Sequence, residues 1–195
     1  MSRIDRKFLN IIRENVSAFI RRCGKKYDKL GYLLDIAPGD QEGAAPYFFK
    51  ATIHTLNIDP CSGATYIADI CKTNQRLIPN EFYDYVVCTE VLEHTLDPFS
   101  ATEEIHRILK PEGLLFLSVP FNFRIHGPLP DCWRFTEHGL RVLLKKYAIV
   151  ELKEIGTPRR VLTPIHYTVI AKKEKGNRQR GEIFGKGVCK QGSRC

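Results

Sequence analysis

Residues 83–94, Tyr-Asp-Tyr-Val-Val-Cys-Thr-Glu-Val-Leu-Glu-His, decide the fold class of this chain. The run from Tyr85 to Thr89 is short and apolar, which is typical of a buried strand. Asp97 and Pro98 follow soon after it and form the N-cap and first-turn pair of a helix. A buried strand followed closely by a helix is the repeating unit of a parallel α/β sheet.

The same alternation of apolar runs and helical segments extends in both directions. The predicted strands cover residues 32–36, 54–58, 65–70, 85–89, 114–119, 149–155 and 167–171. The predicted helices are an amphipathic helix over 3–23, a weak helix over 44–51, a helix from Asp97 to about Lys110 and one capped by Thr136. This spacing predicts an α/β fold with a doubly wound, mostly parallel seven-stranded sheet that contains one antiparallel strand.

Basic residues are concentrated at the two ends of the chain. The net charge is +8, with nine Lys or Arg against three acidic residues in 1–30 and eight against two in 171–195, whereas 31–170 is mildly acidic. We predict an N-terminal amphipathic helix over 1–30, one folded domain over 31–173 and a basic, disordered tail over 174–195. Basic ends suit nucleic acid or an anionic membrane surface. Because the body lacks a basic groove, we prefer a solvated helix face and tail, without a nucleic-acid partner.

Composition excludes several classes of protein. The seven cysteines show no CxxC pair and no zinc-ligand spacing, and their odd number favours a reducing compartment. No stretch approaches the roughly 18 apolar residues that a membrane-spanning helix requires. The N-terminus also lacks the continuous apolar stretch of a signal peptide. We therefore expect a cytoplasmic protein without a membrane span; the sequence does not indicate its oligomeric state.

Acidic residues lie at or just beyond the ends of four predicted strands: Asp35, Asp59, Asp69 and Glu90. Ligands of open α/β sheets bind outside the carboxyl ends of the strands, near the switch in strand order. Asp59 can accept two hydrogen bonds from a ribose diol, and Asp69 can accept one from an adenine amino group beside the apolar side chain of Ile70. Since acidic residues also cap helices, a purely structural role is the alternative.

Four segments carry a resemblance to a known family. They are Leu33-Leu34-Asp35-Ile36-Ala37-Pro38-Gly39, Leu56-Asn57-Ile58-Asp59, the stretch 83–94 quoted above and Ile105-His106-Arg107-Ile108-Leu109-Lys110-Pro111-Glu112-Gly113. In this order they resemble the class I S-adenosylmethionine-dependent methyltransferases, most closely the type 11 branch. The resemblance covers about residues 32–120. It implies a Rossmann-like methyltransferase domain over 31–173, with S-adenosylmethionine as its cofactor.

The resemblance also implies a role for each strand end. The implied cofactor-binding residues are Asp35, Ala37 and Gly39 around the methionine part, Asp59 on the ribose, Asp69 and Ile70 on the adenine, and Thr89 and Glu90 along the wall of the site. The chain departs from the family at Ala37, where its first glycine usually stands, and at Gln41, where another is common. An alanine has less φ freedom than a glycine, so we expect an altered turn.

The stretch His126-Gly127-Pro128-Leu129-Pro130-Asp131-Cys132-Trp133-Arg134-Phe135-Thr136 resembles a segment of relatives that are often encoded near genes for sugar and glycan assembly. It implies a small-molecule or glycan-type methyl acceptor. We predict His126 as a general base for a hydroxyl nucleophile, Asp131 and Arg134 as groups that orient the acceptor, and Trp133 as a stacking surface. The alternative is structural: Trp133 and Phe135 in the core, Arg134 paired with Asp131, and His126 bonded to backbone.

Three further hypotheses concern a metal site, a nicotinamide-dependent oxidoreductase and a non-catalytic module. Glu90, Glu93 and His94 resemble part of a metal site, but no second cluster completes it, and we predict no metal. A nicotinamide-dependent oxidoreductase requires G-x-G-x-x-G after the first strand, which is absent from residues 37–42. A non-catalytic methyltransferase-like module that binds a partner through its basic ends is the second candidate function, and such a module should not bind the cofactor.

Overall fold

The computed structural model describes residues 1–39, 43–157 and 160–175. Its strands are β1 Gly31–Ile36, β2 Ala51–Asn57, β3 Tyr66–Ile67, β4 Tyr83–Thr89, β5 Leu109–Pro120, β6 Tyr147–Gly156 and β7 Pro164–Lys173. Its α-helices are α1 Arg3–Tyr27, α2 Pro98–Ile108 and α3 Glu137–Leu143. The predicted tail lies outside the described residues from residue 176 onward, and the predicted division into helix, domain and tail stays a prediction.

The strands form one sheet in the order β3-β2-β1-β4-β5-β7-β6. β7 runs antiparallel to both of its neighbours, β5 and β6, whereas the other adjacent pairs are parallel. The predicted doubly wound sheet with one antiparallel strand is therefore confirmed. From β1 the chain moves outward to β2 and β3 and then returns to β4 on the other side of β1. This reversal places the switch in strand order between β1 and β4, where such sheets bind ligands.

Successive side chains of the central strands enter two separate apolar layers because strand residues alternate between faces. Leu34 and Val86 pack on the side of α2 and α3, whereas Leu33 and Val87 pack on the side of α1. The apolar stripe of α1, which includes Phe19, Ile20 and Cys23, covers that second face. The N-terminal helix is thus packed on the sheet, and none of the helices within the described ranges is long and apolar enough to cross a membrane.

The predicted weak helix over 44–51 is wrong. Residues 43–47 form a turn, and Ala51 already begins β2. Pro46 cannot donate a helical hydrogen bond. The side chain of Asp28 offers the backbone a competing arrangement, since its carboxylate accepts the N–H groups of Phe49, Lys50 and Ala51 at 2.8–3.2 Å. The two predicted helix caps are confirmed: Asp97 accepts backbone N–H groups of the first turn of α2, and Thr136 does so for α3.

Replacing Phe19 with alanine should lower the free energy of unfolding by about 3–4 kcal/mol, because the ring is 3% exposed within the apolar layer beneath α1. Urea denaturation followed by circular dichroism measures the change. Ile4→Ala, at a position of the same helix that is 67% exposed, is the matched control and should change stability by less than about 0.5 kcal/mol. Equal stability of the two variants would mean that α1 does not unfold together with the sheet.

Candidate active site

The carboxyl ends of β3, β2, β1 and β4 lie side by side along one edge of the sheet, in that order. Asp35 is the last but one residue of β1. Asp59 and Asp69 follow β2 and β3, and Glu90 follows β4. The sequence-predicted acids therefore occupy neighbouring positions along this edge. Two concave surface pockets, of about 260 and 500 Å³, contain none of the predicted site residues.

Asp35 is the most buried of these acids, with 2% of its surface exposed. Its Oδ2 accepts the backbone N–H of Ala44 at 2.6 Å, whereas its buried Oδ1 has no partner among the described residues. Burial outweighs the single hydrogen bond and raises the pKa of Asp35 to about 7. A buried carboxylate oxygen without a partner is costly, so this atom is suited to a donor or a positive group supplied by a ligand.

The turn after β1 approaches Asp35 closely at a glycine that the sequence analysis did not single out. Gly43 has a φ of +55°, and a Cβ there would lie 2.1 Å from Oδ2 of Asp35, so only glycine fits. Ala37 also has a positive φ, +48°, while its N–H donates to Leu56 O at 2.7 Å. The expected alteration is therefore a strained alanine in a glycine-like conformation. Two residues further on, a Cβ on Gly39 would meet nothing within 4 Å. Gln41 lies outside the described residues.

The next three predicted residues occupy different environments. Asp59 is exposed, and its Oδ1 accepts the backbone N–H of Cys61 at 2.8 Å. Asp69 is half-buried, and its Oδ1 accepts the N–H of Cys71 at 2.9 Å. Both acids thus also stabilise the turns in which they lie, as the capping alternative anticipated. Ile70 is 6% exposed and belongs to the apolar layer beneath α2, so most of its side chain is used in packing.

Thr89 and Glu90 lie where β4 ends beside β5, and Glu90 is fixed by several elements at once. It has a φ of +55°, and its Oε1 accepts the hydroxyl of Ser118 at 2.9 Å and lies 2.6 Å from Nε2 of His166. His166 is fully buried, and its Nδ1 lies 2.8 Å from the side-chain nitrogen of Asn15 in α1. With that amide donating to Nδ1, the ring proton lies on Nε2 and points at Glu90. Sequence periodicity gave no signal for this chain of contacts.

The loop after β5 returns to the short 3-10 helix Leu92–His94 that follows β4. The N–H groups of Cys132 and Trp133 donate to the carbonyl of Glu93 at 2.7 and 3.2 Å. This return brings His126 beside Glu93 and His94: Glu93 Oε1 lies 3.9 Å from Nε2 of His126 and 3.8 Å from Nε2 of His94. The two imidazole rings are 4.8 Å apart and meet edge to face.

Glu93 is fully buried, and neither of its carboxylate oxygens has a hydrogen-bond partner in the part of the chain that the structure describes. Burial, reinforced by the charge of Glu90, raises the pKa of Glu93 well above its ordinary value. Burial also lowers the pKa of His126, which favours a neutral imidazole. The cluster of Glu93, His94 and His126, here called the His126 cluster, therefore combines a carboxyl group and a neutral imidazole that both resist ionisation.

An ion pair holds the shape of this loop. Arg134 donates to both carboxylate oxygens of Asp131, at 2.5 and 2.7 Å, and keeps the pKa of Asp131 well below its usual range. The backbone N–H of His126 donates to the same carboxylate at 2.9 Å. Arg134 also donates to carbonyl groups of the loop, those of Phe123, Arg124 and Trp133. Asp131 and Arg134 thus pair with each other, as the structural alternative anticipated.

The aromatic residues of the loop divide between the core and the surface. Phe135 is 8% exposed and packs in the apolar layer with α2 and α3. The indole N–H of Trp133 donates to Thr95 O at 2.8 Å, while 39% of the residue stays exposed. Trp133 therefore has a fixed orientation and a free surface.

Comparison with known proteins identifies the family. A family model described as a methyltransferase domain matches residues 8–155, which is well over half of the chain. This chain belongs to that methyltransferase family. The predictions of a class I S-adenosylmethionine-dependent methyltransferase and of S-adenosylmethionine as cofactor are thereby confirmed, together with the fold.

Relatives of the methyltransferase share segments or fold. The ubiquinone biosynthesis O-methyltransferase of Haemophilus ducreyi is 41% identical over 54 residues, which are 28% of this chain and 22% of that protein. The match thus spans about a fifth of the curated relative. A methyltransferase from Archaeoglobus fulgidus has a TM-score of 0.64 at 18% identity, over 83% of this chain and 94% of its own. A Burkholderia thailandensis 1,6-didemethyltoxoflavin-N1-methyltransferase, solved with S-adenosylhomocysteine and its substrate bound, has a TM-score of 0.59 at 16% identity, over 88% of each chain.

The residues of the methyltransferase fit this cofactor at the end of β1. S-adenosylmethionine carries a positively charged amine, and the buried Oδ1 of Asp35 is an acceptor without a partner among the described residues. A Cβ on Gly39, which follows β1, would meet nothing within 4 Å. The strand-end acids suit the hydroxyl and amino groups of the nucleoside.

Replacing Asp35 with asparagine should stabilise the cofactor-free methyltransferase at pH 8 by about 1–3 kcal/mol, because ionising a buried carboxyl group is costly. The folded pKa is about 7 against an ordinary value of 3.8, so the wild-type chain loses stability as the pH rises from about 4 to about 7. The variant's advantage should therefore be absent near pH 4 and level off above pH 7. Urea denaturation across this pH range measures it.

The same variant should bind S-adenosylhomocysteine about 10-fold or more weakly, since an amide cannot replace the charge. Glu154→Gln, at an exposed position of β6, is the control and should change neither property. A stability difference that does not vary with pH would contradict the role of ionisation.

Proposed function

We propose that this methyltransferase transfers the methyl group of S-adenosylmethionine to a hydroxyl group of a small-molecule or glycan-type acceptor. The observation that carries the proposal is the position of the His126 cluster. Its residues Glu93 and His94 follow β4, and β4 neighbours β1, whose end carries the Asp35 oxygen without a partner among the described residues. A polar group that can take a proton is thereby placed beside the expected cofactor edge.

For the cofactor, we assign Asp35 with the turn through Ala37 and Gly39 to the methionine part. Asp59 is assigned to the ribose, and Asp69 with Ile70 to the adenine. Thr89 and Glu90 are assigned to the wall of the site, where the contacts of Glu90 with Ser118 and His166 hold its carboxylate still. When bound, S-adenosylmethionine supplies an electrophilic methyl group on a positively charged sulfur. The main task of the protein is then to hold the acceptor close to the methyl group and in line with it, which can lower the activation free energy by about 7–11 kcal/mol.

For the acceptor, we assign His126 as the general base and Trp133 as a stacking surface. A neutral imidazole can accept a hydroxyl proton, and the lowered pKa of His126 favours that form. Asp131 and Arg134 act on the acceptor chiefly by holding the loop, because their charges are paired with each other. The O-methyltransferase named above, which matches part of this chain, favours a hydroxyl acceptor over other nucleophiles.

Replacing Asp59 with alanine should weaken binding of S-adenosylmethionine about 10- to 100-fold, because a carboxylate that bonds a diol is lost. Isothermal titration calorimetry measures binding, with Glu154→Ala as the control at an exposed position of β6. A wild-type chain that binds neither S-adenosylmethionine nor S-adenosylhomocysteine would instead support the non-catalytic module. Unchanged binding by Asp59→Ala would remove Asp59 from the site.

Replacing His126 with alanine should lower turnover about 10²- to 10⁴-fold, as expected for loss of a general base, and leave cofactor binding within about 2-fold. Formation of S-adenosylhomocysteine in the presence of a panel of phenols, hydroxy acids and sugars measures turnover. His138→Ala, at an exposed position in α3, should behave as wild type. Intact turnover in His126→Ala would show that His126 is not the general base.

A further inference from the structure

Three potential ligand atoms converge in the cluster of Glu93, His94 and His126. One atom of each side chain lies within 4.8 Å of the other two, and Glu93 Oε1 lies 3.8–3.9 Å from both Nε2 atoms. Ligand atoms around one tetrahedral zinc ion are about 3.3 Å apart at bond lengths of about 2.0–2.1 Å. The two carboxylate–imidazole distances would need to shorten by about 0.5 Å, and the pair of imidazole nitrogens by at most about 1.5 Å, to meet this geometry.

The other nitrogen of each imidazole faces an oxygen of the loop after β5. Nδ1 of His94 lies 3.0 Å from Pro130 O, and a carbonyl only accepts, so the ring donates there and keeps a lone pair on Nε2. Nδ1 of His126 lies 3.1 Å from Oδ2 of Asp131, within ion-pair distance although outside hydrogen-bond geometry. Metal-bound histidines are usually oriented in this way by a carbonyl or a carboxylate behind the ring.

The carboxylate between the two rings needs a positive partner. Glu93 is fully buried, and both of its oxygens are without a hydrogen-bond partner among the described residues. Arg134, the cation whose charge acts on Glu93, is committed to Asp131. A divalent cation would satisfy an oxygen that no group among the described residues satisfies.

We propose that Glu93, His94 and His126 bind one divalent transition-metal ion. Two imidazoles and one carboxylate suit zinc, iron or cobalt far better than calcium or magnesium, which prefer oxygen ligands. Three protein ligands also leave a coordination position open, as in catalytic metal sites. The sequence predicts no metal because His126 lies 32 residues beyond His94, and only the return of the loop joins them.

This inference rests on the proposed function and changes one assignment within it. With a metal bound, Nε2 of His126 is a ligand, and the ion takes over the activation of the acceptor. An acceptor hydroxyl at the open position then loses its proton more readily, the proton leaving to solvent, because a bound cation lowers the pKa of the coordinated oxygen. The acceptor class is thereby narrowed to molecules that present a hydroxyl oxygen to the metal.

The test is titration of the chelator-treated, untagged full chain with Co²⁺, followed by visible absorption and by thermal melting. We expect one Co²⁺ per chain, a spectrum without a thiolate-to-cobalt band, and a rise in melting temperature. Glu93→Gln and His126→Gln should each weaken Co²⁺ binding at least 100-fold. His138→Gln, at the exposed position in α3, should bind as wild type.

Each remaining outcome is decisive. Absence of one-to-one binding, a thiolate band, or equal affinity in Glu93→Gln and His138→Gln would overturn the proposal. Because Glu93→Gln replaces a buried carboxyl group whose ionisation is costly with a neutral amide, its metal-free form should melt no lower than wild type, which separates lost ligation from lost folding. Calorimetry with S-adenosylmethionine on the same samples separates the two hypotheses: a chain that binds this cofactor but no Co²⁺ contradicts only the metal site.

Discussion

Two buried carboxyl groups near the carboxyl edge of this sheet have oxygens without a hydrogen-bond partner among the described residues, Oδ1 of Asp35 and both oxygens of Glu93, and the proposed site is arranged around them. Asp35 belongs to β1, and Glu93 follows β4, the neighbouring strand across the switch in strand order. A protein that only needed stability would replace both with apolar or amide side chains, since an unpaired buried carboxylate is costly. In the proposed assignments a ligand completes each of them, the cofactor at Asp35 and the metal or acceptor at Glu93. Stability is thereby exchanged for binding capacity at one edge of the sheet.

The N-terminal helix contributes to the site as well as to the core. α1 covers one face of the sheet, and its Asn15 reaches His166 in β7. Through the contact of His166 with Glu90, the position of α1 influences the carboxylate that directly follows β4. The helix is therefore a structural support of the active-site edge. Its basic outer face takes no part in the contact between Asn15 and His166.

Much of the fold was predictable from the sequence because apolar periodicity encodes it directly. The strand at 83–89, the caps at Asp97 and Thr136 and the acids at strand ends all depend on local pattern. The errors and omissions depend on contacts between distant residues. Asp28 organises the segment that was predicted as a weak helix, and Gly43 is required only because the side chain of Asp35 lies against it. The cluster around His126 likewise depends on the loop after β5 returning to Glu93, and no sequence periodicity predicts that return.

The direction of the imidazole nitrogens constrains how an acceptor can react, whichever group removes its proton. Because Nδ1 of both His94 and His126 faces the loop, the reactive Nε2 atoms point towards the carboxylate of Glu93. An acceptor oxygen that uses either nitrogen must therefore enter the space between the three side chains, where it also meets Glu93. The three groups then act as one unit, and the effects of removing them singly should not add.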